Sequence, residues 1–593
     1  MIKSRFFASL LLIASLNLIT TQSKGQHPEI RSQDISGTIS TLASEAYQGR
    51  KPGTKGDSLS TEYILSRFKK AGLKLLFENG KQDVKIVKGF KRGEQNSLKV
   101  NNHPFEVGKD FEPLPFSGNS NFAGKVAFAG YGLKLKNDSV VRDDYSSLKP
   151  DNQWIMFLDG LPADLQKIEG YKKQADLRTK VLHAIDQNAK GILIVYHTDT
   201  ITPLSKAVVF DKNSSQYDIP VIMISAQTAL AILSSNSSDN LEDIIKISNN
   251  KEFKPYIIEK NIIAGEASVF PDEVKTYNLA GFIPGKDKTL ANEYIVIGAH
   301  YDHLGFGGPM SGSRMPDTSA VHYGADDNAS GVAAVIELAE KMAKEKKNKR
   351  SIIFATFGAE ELGLIGSKAF VAQPPVALGN IGLMVNFDMV GRLDSAKHLT
   401  VGGVGTSIEA RAIIDSLNPG FDLLISEDGY GPSDHASFYS ENIPVLYFTS
   451  GVHEQYHTPF DTFNRINSDG EKDIIAYAEK IVSVAANRPH KFTYRESGPK
   501  NGTNERTTLK VTLGIMPDFS GVEKNGLRID GVTPGKVAAK SGLKKGDIIT
   551  AIDGKKVGNI YDYMNRMKEF SPGQIISVDV LREGKSQIFI INL

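Results

Sequence analysis

Four apolar runs in the second half of the chain predict buried strands. They read YIVIGAH (294–300), SIIFATFG (351–358), IGLMVNFDMV (381–390) and IPVLYFTSG (443–451). Each run is nearly continuous and rich in β-branched residues, which is typical of strands buried on both faces. Helix-like segments lie between them. The pattern therefore predicts an α/β fold with a mainly parallel sheet and helices on both of its faces.

The segment after GADDNASG (324–331) predicts the first of these helices. Its apolar residues recur at helical spacing and would share one face. The helix would end in the basic run KEKKNKR (344–350), which is typical of a solvated helix end. The residues predicted to be buried on it are Val332, Val335, Ile336, Ala339, Met342 and Ala343.

The pattern also divides the chain. Strand-like and helix-like segments without clustered histidines and carboxylates indicate a separate α/β domain inserted in the main one. A polar stretch with Pro and Gly indicates a linker. Short strands with two helices after it predict a compact, partly open β-barrel. The predicted bounds are 26–117 and 259–492 for the main domain, 118–258 for the insertion, 493–506 for the linker and 507–593 for the last domain.

Composition narrows the function classes. The chain has 593 residues, 40% of them hydrophobic and 23% charged, with a net charge of +2, so it fits a soluble protein of several domains. Near-neutral charge gives no indication of binding to nucleic acid or to an anionic membrane. There are no cysteines, so disulfides and a lipid-modified N-terminal cysteine are excluded, and any metal site must use His, Asp and Glu.

The first residues, MIKSRFFASLLLIASLNLITTQSKGQ, have a basic start followed by an apolar stretch. This is typical of a signal peptide, and we expect cleavage near Gly25, so that 1–25 is removed. An uncleaved membrane anchor is the alternative, for which the apolar stretch is short. The mature protein is then expected to be exported, either periplasmic or secreted, with no membrane contact.

Ligand-type side chains follow the predicted strands at the edge where open α/β sheets build their sites. Each fragment alone is weak evidence for a metal site. An Asp before a helix is commonly an N-cap, and of two adjacent glutamates one is commonly exposed and the other a cap. Together they suit a pair of divalent metals with N and O ligands, zinc first. The residues are His300, Asp302, His303, Asp326, Asp327, Glu360, Glu361, Asp388, His457 and Asp461.

In type and order these fragments, together with LASEAYQGRKPGTKG (42–56), resemble the M28 family of zinc aminopeptidases. The resemblance implies two zinc ions, with Asp326 as the bridging carboxylate and a cis peptide bond between Asp326 and Asp327. It implies Glu360 as the general base and Asp302 as the carboxylate that orients a ligand histidine. The ligand set that it implies is His300, Asp326, Glu361, Asp388 and His457.

The resemblance further implies hydrolysis of N-terminal peptide bonds by a metal-bridged water. Tyr456, next to a ligand histidine, is expected to donate to the oxyanion. The loop EDGYGPSDHASF (427–438) is expected to line the substrate pocket, although the disulfide that some relatives have near that pocket is impossible here. The pocket residues expected from this loop are Tyr430, Ser433, Asp434 and His435.

Two accessory domains are also identified by resemblance. The position and strand pattern of 118–258 are similar to those of a protease-associated domain, and 507–593 resembles a PDZ domain. PDZ domains add a peptide as a strand and hold its C-terminal carboxylate with backbone N–H groups. The corresponding loop is Leu513, Gly514, Ile515 and Met516. A PDZ domain that only packs on the peptidase and restricts access is the alternative.

Other functions stay open at this stage. A carboxypeptidase or dipeptidase would use the same ligands, because pocket residues set the polarity of the substrate. A glutaminyl cyclase shares the fold with a single zinc. A receptor-like protein with a decayed site is expected to have lost ligands, and none is lost here. Peptides are the expected substrates, and a C-terminal peptide is the expected ligand of the PDZ domain.

Overall fold

The structure, a computed structural model, describes residues 29–593 except 137–140, 147, 149–151, 167–175, 198–202, 211–215, 234–239, 309–310, 499–510, 518–525, 534, 558–562, 564–565 and 568–569. The predicted signal peptide and most of the predicted linker therefore lie outside the described residues. The chain divides into two compact units, one of them Lys85–Val274 and the other made from the segments before and after it.

The N-terminal segment contributes two helices to the main unit. A short 3₁₀-helix, Glu45–Arg50, lies between them. The second helix ends at Gly72, whose φ of 79° is the left-handed conformation that stops a helix. The elements are α1 (Ser32–Leu42), α2 (Lys55–Ala71), β1 (Lys74–Leu75) and β2 (Lys81–Arg92).

The inserted unit is built on an eight-stranded sheet with the order β4-β3-β12-β6-β9-β10-β11-β5. Trp154 is buried in it, and its indole N–H donates to the carbonyl of Ile263 at 3.1 Å. The elements are β3 (Ser97–Val100), β4 (His103–Pro104), β5 (Phe111–Pro113), β6 (Ser120–Phe128), β7 (Lys134–Lys136), β8 (Val141–Asp143), β9 (Trp154–Leu158), α3 (Ala163–Gln166), α4 (Leu177–Ile185), β10 (Gly191–Tyr196), α5 (Leu204–Ala207), β11 (Val221–Ser225), α6 (Ala226–Leu233), α7 (Leu241–Asn249) and β12 (Tyr256–Ala267).

The predicted bounds of the insertion, 118–258, are too narrow. Strands β3 and β5 precede residue 118, and β12 continues to Ala267, yet all three pair within the same sheet. The compact unit accordingly runs from Lys85 to Val274. Its identity as a protease-associated domain stays a prediction.

The main sheet has the order β1-β13-β15-β14-β16-β19-β17-β18, with β2 beside β13. Its four central strands, β15, β14, β16 and β19, are parallel, and antiparallel strands flank them. The elements are β13 (Val269–Ile283), β14 (Tyr294–His300), α8 (Gly331–Glu345), β15 (Ser351–Phe357), α9 (Ile365–Ala372), β16 (Ile381–Phe387), β17 (His398–Gly402), α10 (Ala410–Leu417), β18 (Asp422–Ile425), α11 (His435–Ser440), β19 (Val445–Thr449) and α12 (Ser468–Asn487).

Helices cover both faces of this sheet, which confirms the predicted fold class. Strand side chains alternate between the faces, so Ile295 and Ile297 pack with α1, α2, α8 and α12, whereas Val296 packs with α9 and α11. All six residues predicted to be buried on α8 are buried. The central strands therefore end together at one edge of the sheet, with a layer of helices on each side.

The C-terminal domain is a small sheet of order β20-β21-β22-β24-β25, with β23 paired to β22. Leu513, Ile529 and Val578 are among its buried core residues. Within the described part of the chain, no helix has both the length and the apolar character that crossing a bilayer requires. The elements are β20 (Ile515–Pro517), β21 (Leu527–Val532), α13 (Val537–Lys540), β22 (Ile548–Ile552), β23 (Lys555–Lys556), β24 (Ile575–Arg582) and β25 (Lys585–Asn592).

Candidate metal centre

His300 is the last residue of β14, and its imidazole is buried between carboxylates from two other elements. Its Nε2 lies 3.3 Å from Oδ1 of Asp327 and 3.4 Å from Oδ1 of Asp388, which directly follows β16. Its Nδ1 lies 3.2 Å from the backbone oxygen of Asp302, so the ring is oriented with Nε2 toward the carboxylates. These three side chains form the first group that could hold a metal ion.

Asp327 also belongs to a second group, with His303 and Glu361, in which the ligand atoms likewise lie within 4.8 Å of one another. Its Oδ2 is 3.7 Å from Nδ1 of His303 and 3.1 Å from Nε2 of His457. The carboxylate thus turns one oxygen toward each group. Two metal ions close together need such a shared carboxylate.

Asp326 does not take the bridging position that the sequence analysis gave it, so this prediction is wrong. Its Oδ1 accepts the backbone N–H of Gly391 at 2.7 Å, and its Oδ2 faces Nε2 of His453 at 3.3 Å. The cis peptide bond is likewise one residue further along, between Asp327 and Asn328. Adjacent side chains in this irregular turn project in different directions, and the second aspartate faces the strand ends.

Asp461 fixes the turn that carries both aspartates. Its Oδ2 accepts the backbone N–H groups of Asp326 at 2.9 Å and of Asp327 at 3.0 Å. The side chain is buried, and two charge-assisted hydrogen bonds of this kind hold a backbone firmly. Asp461 therefore supports the centre from behind and is in neither ligand group.

Glu361 lies between two histidines. Its Oε1 is 2.8 Å from Nδ1 of His303, and its Oε2 is 3.2 Å from Nε2 of His457. Burial raises the pKa of this carboxyl, but His457 and the hydrogen bond from His303 outweigh burial and hold the pKa at about 2. An ionised carboxylate with two imidazoles is a donor set that suits zinc.

Glu360 projects differently from its neighbour. Its Oε2 is 4.0 Å from Nε2 of His300, and it lines the cavity beside the centre. Burial and the nearby carboxylates of Glu361 and Asp434 raise its pKa well above the usual range, against the effect of His300. Glu360 belongs to neither ligand group. Its carboxylate lies beside the candidate metal ligands and is therefore available for proton transfer.

Asp302 acts on the glutamates more directly than on His300. Its Oδ1 accepts the backbone N–H of Glu360 at 2.9 Å, and its Oδ2 the N–H of Glu361 at 3.4 Å. Its nearest carboxylate oxygen lies 3.9 Å from Nδ1 of His300, which contacts the backbone oxygen instead. Burial raises the pKa of Asp302 to about 8. The side chain therefore holds the turn after β15 in place.

A cavity of about 290 Å³ opens beside these residues. Tyr456 lines it and stacks on His457, with ring centroids 3.8 Å apart. Burial and the neighbouring carboxylates hold the pKa of Tyr456 well above its usual value, so its hydroxyl keeps its proton. Met389 and Tyr447 are also in the wall.

The four predicted pocket residues do not line this cavity. Ser433 accepts a hydrogen bond from Asn386, and His435 stacks on Tyr447 with centroids 4.5 Å apart. Asp434 is fully buried, and Tyr430 packs against the core beneath the sheet. The loop turns inward here because helix α11 begins at His435, so these residues support the wall from behind.

Arg50 joins the two loops that carry the ligands. Its guanidinium is fully buried and donates to four backbone carbonyls. Nε donates to Tyr301 at 2.8 Å, Nη1 to Leu42 at 2.9 Å and Tyr323 at 2.7 Å, and Nη2 to Gly324 at 2.8 Å. Tyr301 directly follows His300, and Gly324 lies just before the aspartate turn. One planar group thus spans both sides of the centre.

The residues present fit a pair of divalent cations. At least four carboxylates, those of Asp327, Glu360, Glu361 and Asp388, come together in a largely buried site. Buried like charges strongly oppose folding unless cations balance them. Oxygen and imidazole nitrogen are also the ligands that zinc accepts. The sequence analysis named Asp327 and His303 as ligand-type residues but left both out of the implied ligand set, although both lie in ligand groups. It missed His453, whose Nε2 faces Asp326.

Comparison with known proteins identifies two domains of this chain. Residues 278–482 match the model of Peptidase family M28, and residues 512–593 match that of the PDZ domain. Aminopeptidase YwaD of Bacillus subtilis is 27% identical over 326 residues, 53% of this chain and 65% of that protein. Leupeptin-inactivating enzyme 1 of Streptomyces exfoliatus is 31% identical over 238 residues, 36% of this chain and 49% of that protein. The predicted M28 and PDZ domains are confirmed.

The chain spans less than two thirds of the length of either relative. Among solved structures, a zinc aminopeptidase from Bacillus subtilis is 20% identical, with a TM-score of 0.41 over 78% of this chain and 96% of that one. An aminopeptidase from Aneurinibacillus sp. strain AM-1 is 22% identical, with a TM-score of 0.40 over 79% of this chain and 97% of that one.

Proposed function

We propose, from the M28 peptidase domain that this chain carries, that it is a zinc-dependent aminopeptidase with two metal ions. The observation that carries the proposal is the shared Asp327, one oxygen of which faces His300 while the other faces His457. Zinc, when bound, supplies a Lewis acid and lowers the pKa of water toward neutrality. His300 and Asp388 would hold one ion, Glu361 with His457 or His303 the other, and Asp327 both.

Glu360 is the residue we assign to proton transfer. It faces the cavity but belongs to neither ligand group, and Asp302 fixes its backbone. A carboxylate in that position can accept a proton from water and return it to the departing amine. Tyr456 keeps its hydroxyl proton and lines the same cavity, so it is placed to donate to the developing oxyanion.

The proposal is tested with a panel of aminoacyl p-nitroanilides and the full chain, zinc-loaded or chelated. We expect chelation to abolish hydrolysis and zinc to restore it. Glu360→Gln should lower kcat by about 10²–10⁴-fold while zinc content is retained, because general acid–base catalysis contributes about that much. Glu441→Gln, an exposed glutamate after α11, is the matched control. Unchanged rates in chelated enzyme and in Glu360→Gln would overturn the mechanism.

Two further measurements separate the alternatives. Cleavage of N-blocked peptides, with free aminoacyl amides untouched, would indicate a carboxypeptidase. Zinc near one ion per chain would contradict the two-ion assignment and favour the cyclase alternative. We also propose export, supported by the signal-like N-terminus. N-terminal sequencing of the protein from its native host tests this, and a retained Met1 would contradict cleavage.

A further inference from the structure

Part of the wall of the cavity beside the metal centre belongs to the C-terminal domain. Arg528, Lys545 and Gly546 line the same cavity as His300, Asp327 and Glu360. Arg528 is the second residue of β21, and Lys545 lies in the turn before β22, where the N–H of Gly546 donates to the carbonyl of Ile529 at 2.7 Å. Two cationic side chains are thus brought together by one strand pair.

Arg314, near His457, contacts both this domain and the segment that carries the candidate ligand. Arg314 donates from Nη2 to the hydroxyl of Thr533 at 2.7 Å and from Nη1 to the carbonyl of Glu454 at 3.2 Å. Its backbone N–H donates to the carbonyl of His457 at 3.0 Å. The same arginine therefore contacts the end of β21 and the segment that carries a candidate ligand.

Two acids that could neutralise Lys545 are paired with other groups. Asp547, two residues away, is buried and accepts from Nε and Nη2 of Arg582 at 2.6 and 2.7 Å and from the backbone N–H of Lys544 at 2.8 Å. Asp394, which also lines the cavity, uses both oxygens on His398, through the ring at 2.6 Å and the backbone N–H at 3.0 Å. Among the described residues, Lys545 forms no ion pair, so its ammonium is available to an anion.

We propose that Lys545 and Arg528 bind the C-terminal carboxylate of short peptide substrates. The inference rests on the proposed function, which places the substrate amine and scissile bond at the metal end of the cavity. A short peptide carries one positive and one negative terminus, and carboxylates of the metal centre and cations of the C-terminal domain line the same cavity. Its volume, about 290 Å³, is at the small end of ligand sites. The chain would thus select peptides by length.

This carboxylate site is separate from the predicted PDZ peptide loop. Of its residues, Leu513, Gly514 and Ile515 do not line the cavity. Leu513 is buried in the domain core, and the carbonyl of Gly514 accepts the N–H of Thr533 at 2.8 Å. Strand β20 is an edge of its sheet, so an added strand there remains a prediction of its own.

The test compares substrates that differ only at the C-terminus. Zinc-loaded full chain is assayed with leucyl-alanine and leucyl-alanyl-alanine, each as the free acid and as the amide. We expect kcat/KM for the free acid to exceed that for the amide by about tenfold or more, mainly through KM, as charge-assisted hydrogen bonds contribute on that scale. The ratio should shrink in high salt, and rates should fall as the peptide lengthens to six residues.

The same ratio is then measured in variants, because it corrects for any general loss of rate. Arg528→Gln with Lys545→Gln should bring the acid-to-amide ratio to about one, and Lys545→Arg should retain it. Lys585→Gln, an exposed lysine at the start of β25, is the matched control and should leave the ratio unchanged.

The outcomes distinguish the two proposals. Failure to release any N-terminal residue from acid, amide or p-nitroanilide would contradict the proposed function itself. Hydrolysis of all substrates with an acid-to-amide ratio near one in the unmodified chain would overturn the carboxylate site and leave the aminopeptidase intact. A high ratio that persists in the double variant would overturn the assignment to Lys545 and Arg528.

Discussion

Replacing Arg50 with methionine tests whether this side chain holds the centre together. The guanidinium donates four hydrogen bonds to backbone carbonyls, at 2.7–2.9 Å, and methionine fills similar volume without any donor. At a net contribution of about 1–1.5 kcal/mol each, four bonds stabilise the fold by about 4–6 kcal/mol. We expect Arg50→Met to lower the free energy of unfolding of the main unit, which carries the metal centre, by about 4 kcal/mol.

The loss should depend on zinc. Burial lowers the pKa of Arg50 to about 10, against the carboxylates of Asp327, Asp461, Asp302 and Glu361, so it stays protonated at neutral pH. In metal-free protein this guanidinium is a permanent positive charge behind the ligands. Its removal should therefore destabilise the metal-free form by at least about 1 kcal/mol more than the zinc-loaded form. Arg50→Lys keeps the charge but not the planar fork, and should recover only part of the loss.

The assay must report on the main unit. The chain has a single tryptophan, Trp154, and it lies in the inserted unit, so its fluorescence follows the unfolding of that unit instead. Hydrogen exchange of β14 and α8 amides in increasing urea measures the main unit, and Trp154 fluorescence serves as the internal reference. Arg411→Met, which removes an exposed pair with Asp415, is the matched control and should cost less than about 1 kcal/mol. A loss for Arg50→Met no larger than this control would refute the reasoning.

Three further predictions concern single side chains. Asp327→Asn should abolish tight zinc binding and activity, whereas Asp326→Asn should retain zinc stoichiometry. Metal analysis after dialysis checks both variants. Zinc retained in Asp327→Asn and lost in Asp326→Asn would restore Asp326 as the shared ligand. Glu337, buried beside Glu340 and Asp34, has a pKa of about 7 despite Arg67, so its folded form holds the proton more tightly than the unfolded chain. Its contribution to stability is therefore lost as pH rises from about 4.5 through 7. The free energy of unfolding of Glu337→Gln, relative to that of the unmodified chain, should be at least about 1 kcal/mol higher at pH 8 than at pH 5. An equal difference at both pH values would count against this reasoning. Tyr456→Phe should lower kcat by about 10-fold or more with little change in zinc content, and an unchanged kcat removes the oxyanion role.

The location of the centre could be predicted from the sequence because of how parallel strands pair. His300 ends β14, Glu360 lies three residues after β15, and Asp388 directly follows β16. The carboxyl ends of parallel strands share one edge. His300, Glu360 and Asp388 therefore had to lie close together. The residue types near the strand ends and the parallel pairing of the strands were enough to predict the location of the centre. The orientation of each side chain was not needed.

The choice between Asp326 and Asp327 could not be predicted from spacing. The two are adjacent, and the turn that carries them is irregular, with φ −103° and ψ 94° at Asp327. Backbone hydrogen bonds to Asp461, 134 residues away, decide which carboxylate faces the metals. A local pattern contains no information about a partner at that distance.

The pocket prediction failed for a related reason. Ser433, Asp434 and His435 are polar and sit in a Gly-containing loop, which indicates an exposed pocket. In the structure α11 begins there and buries all three. The role of Arg50 could not be predicted either, because a basic residue in a Gly-containing turn is expected to be exposed. Its guanidinium is in fact fully buried.

The inserted unit has a consequence for the order in which the chain is made. Arg50 donates to Tyr301, 251 residues later, and α2 packs on α8 across a similar gap. At a synthesis rate of about 5–20 residues per second, α1 and α2 are exposed for roughly 10–50 s before their partners exist. Lys85–Val274, by contrast, is complete about 1–5 s before Tyr301 is made, so it can fold first. Nascent chains halted near residue 320 should therefore show a protease-resistant insertion and cleavable N-terminal helices. The newly made chain then depends on protection of these helices until their partners are made.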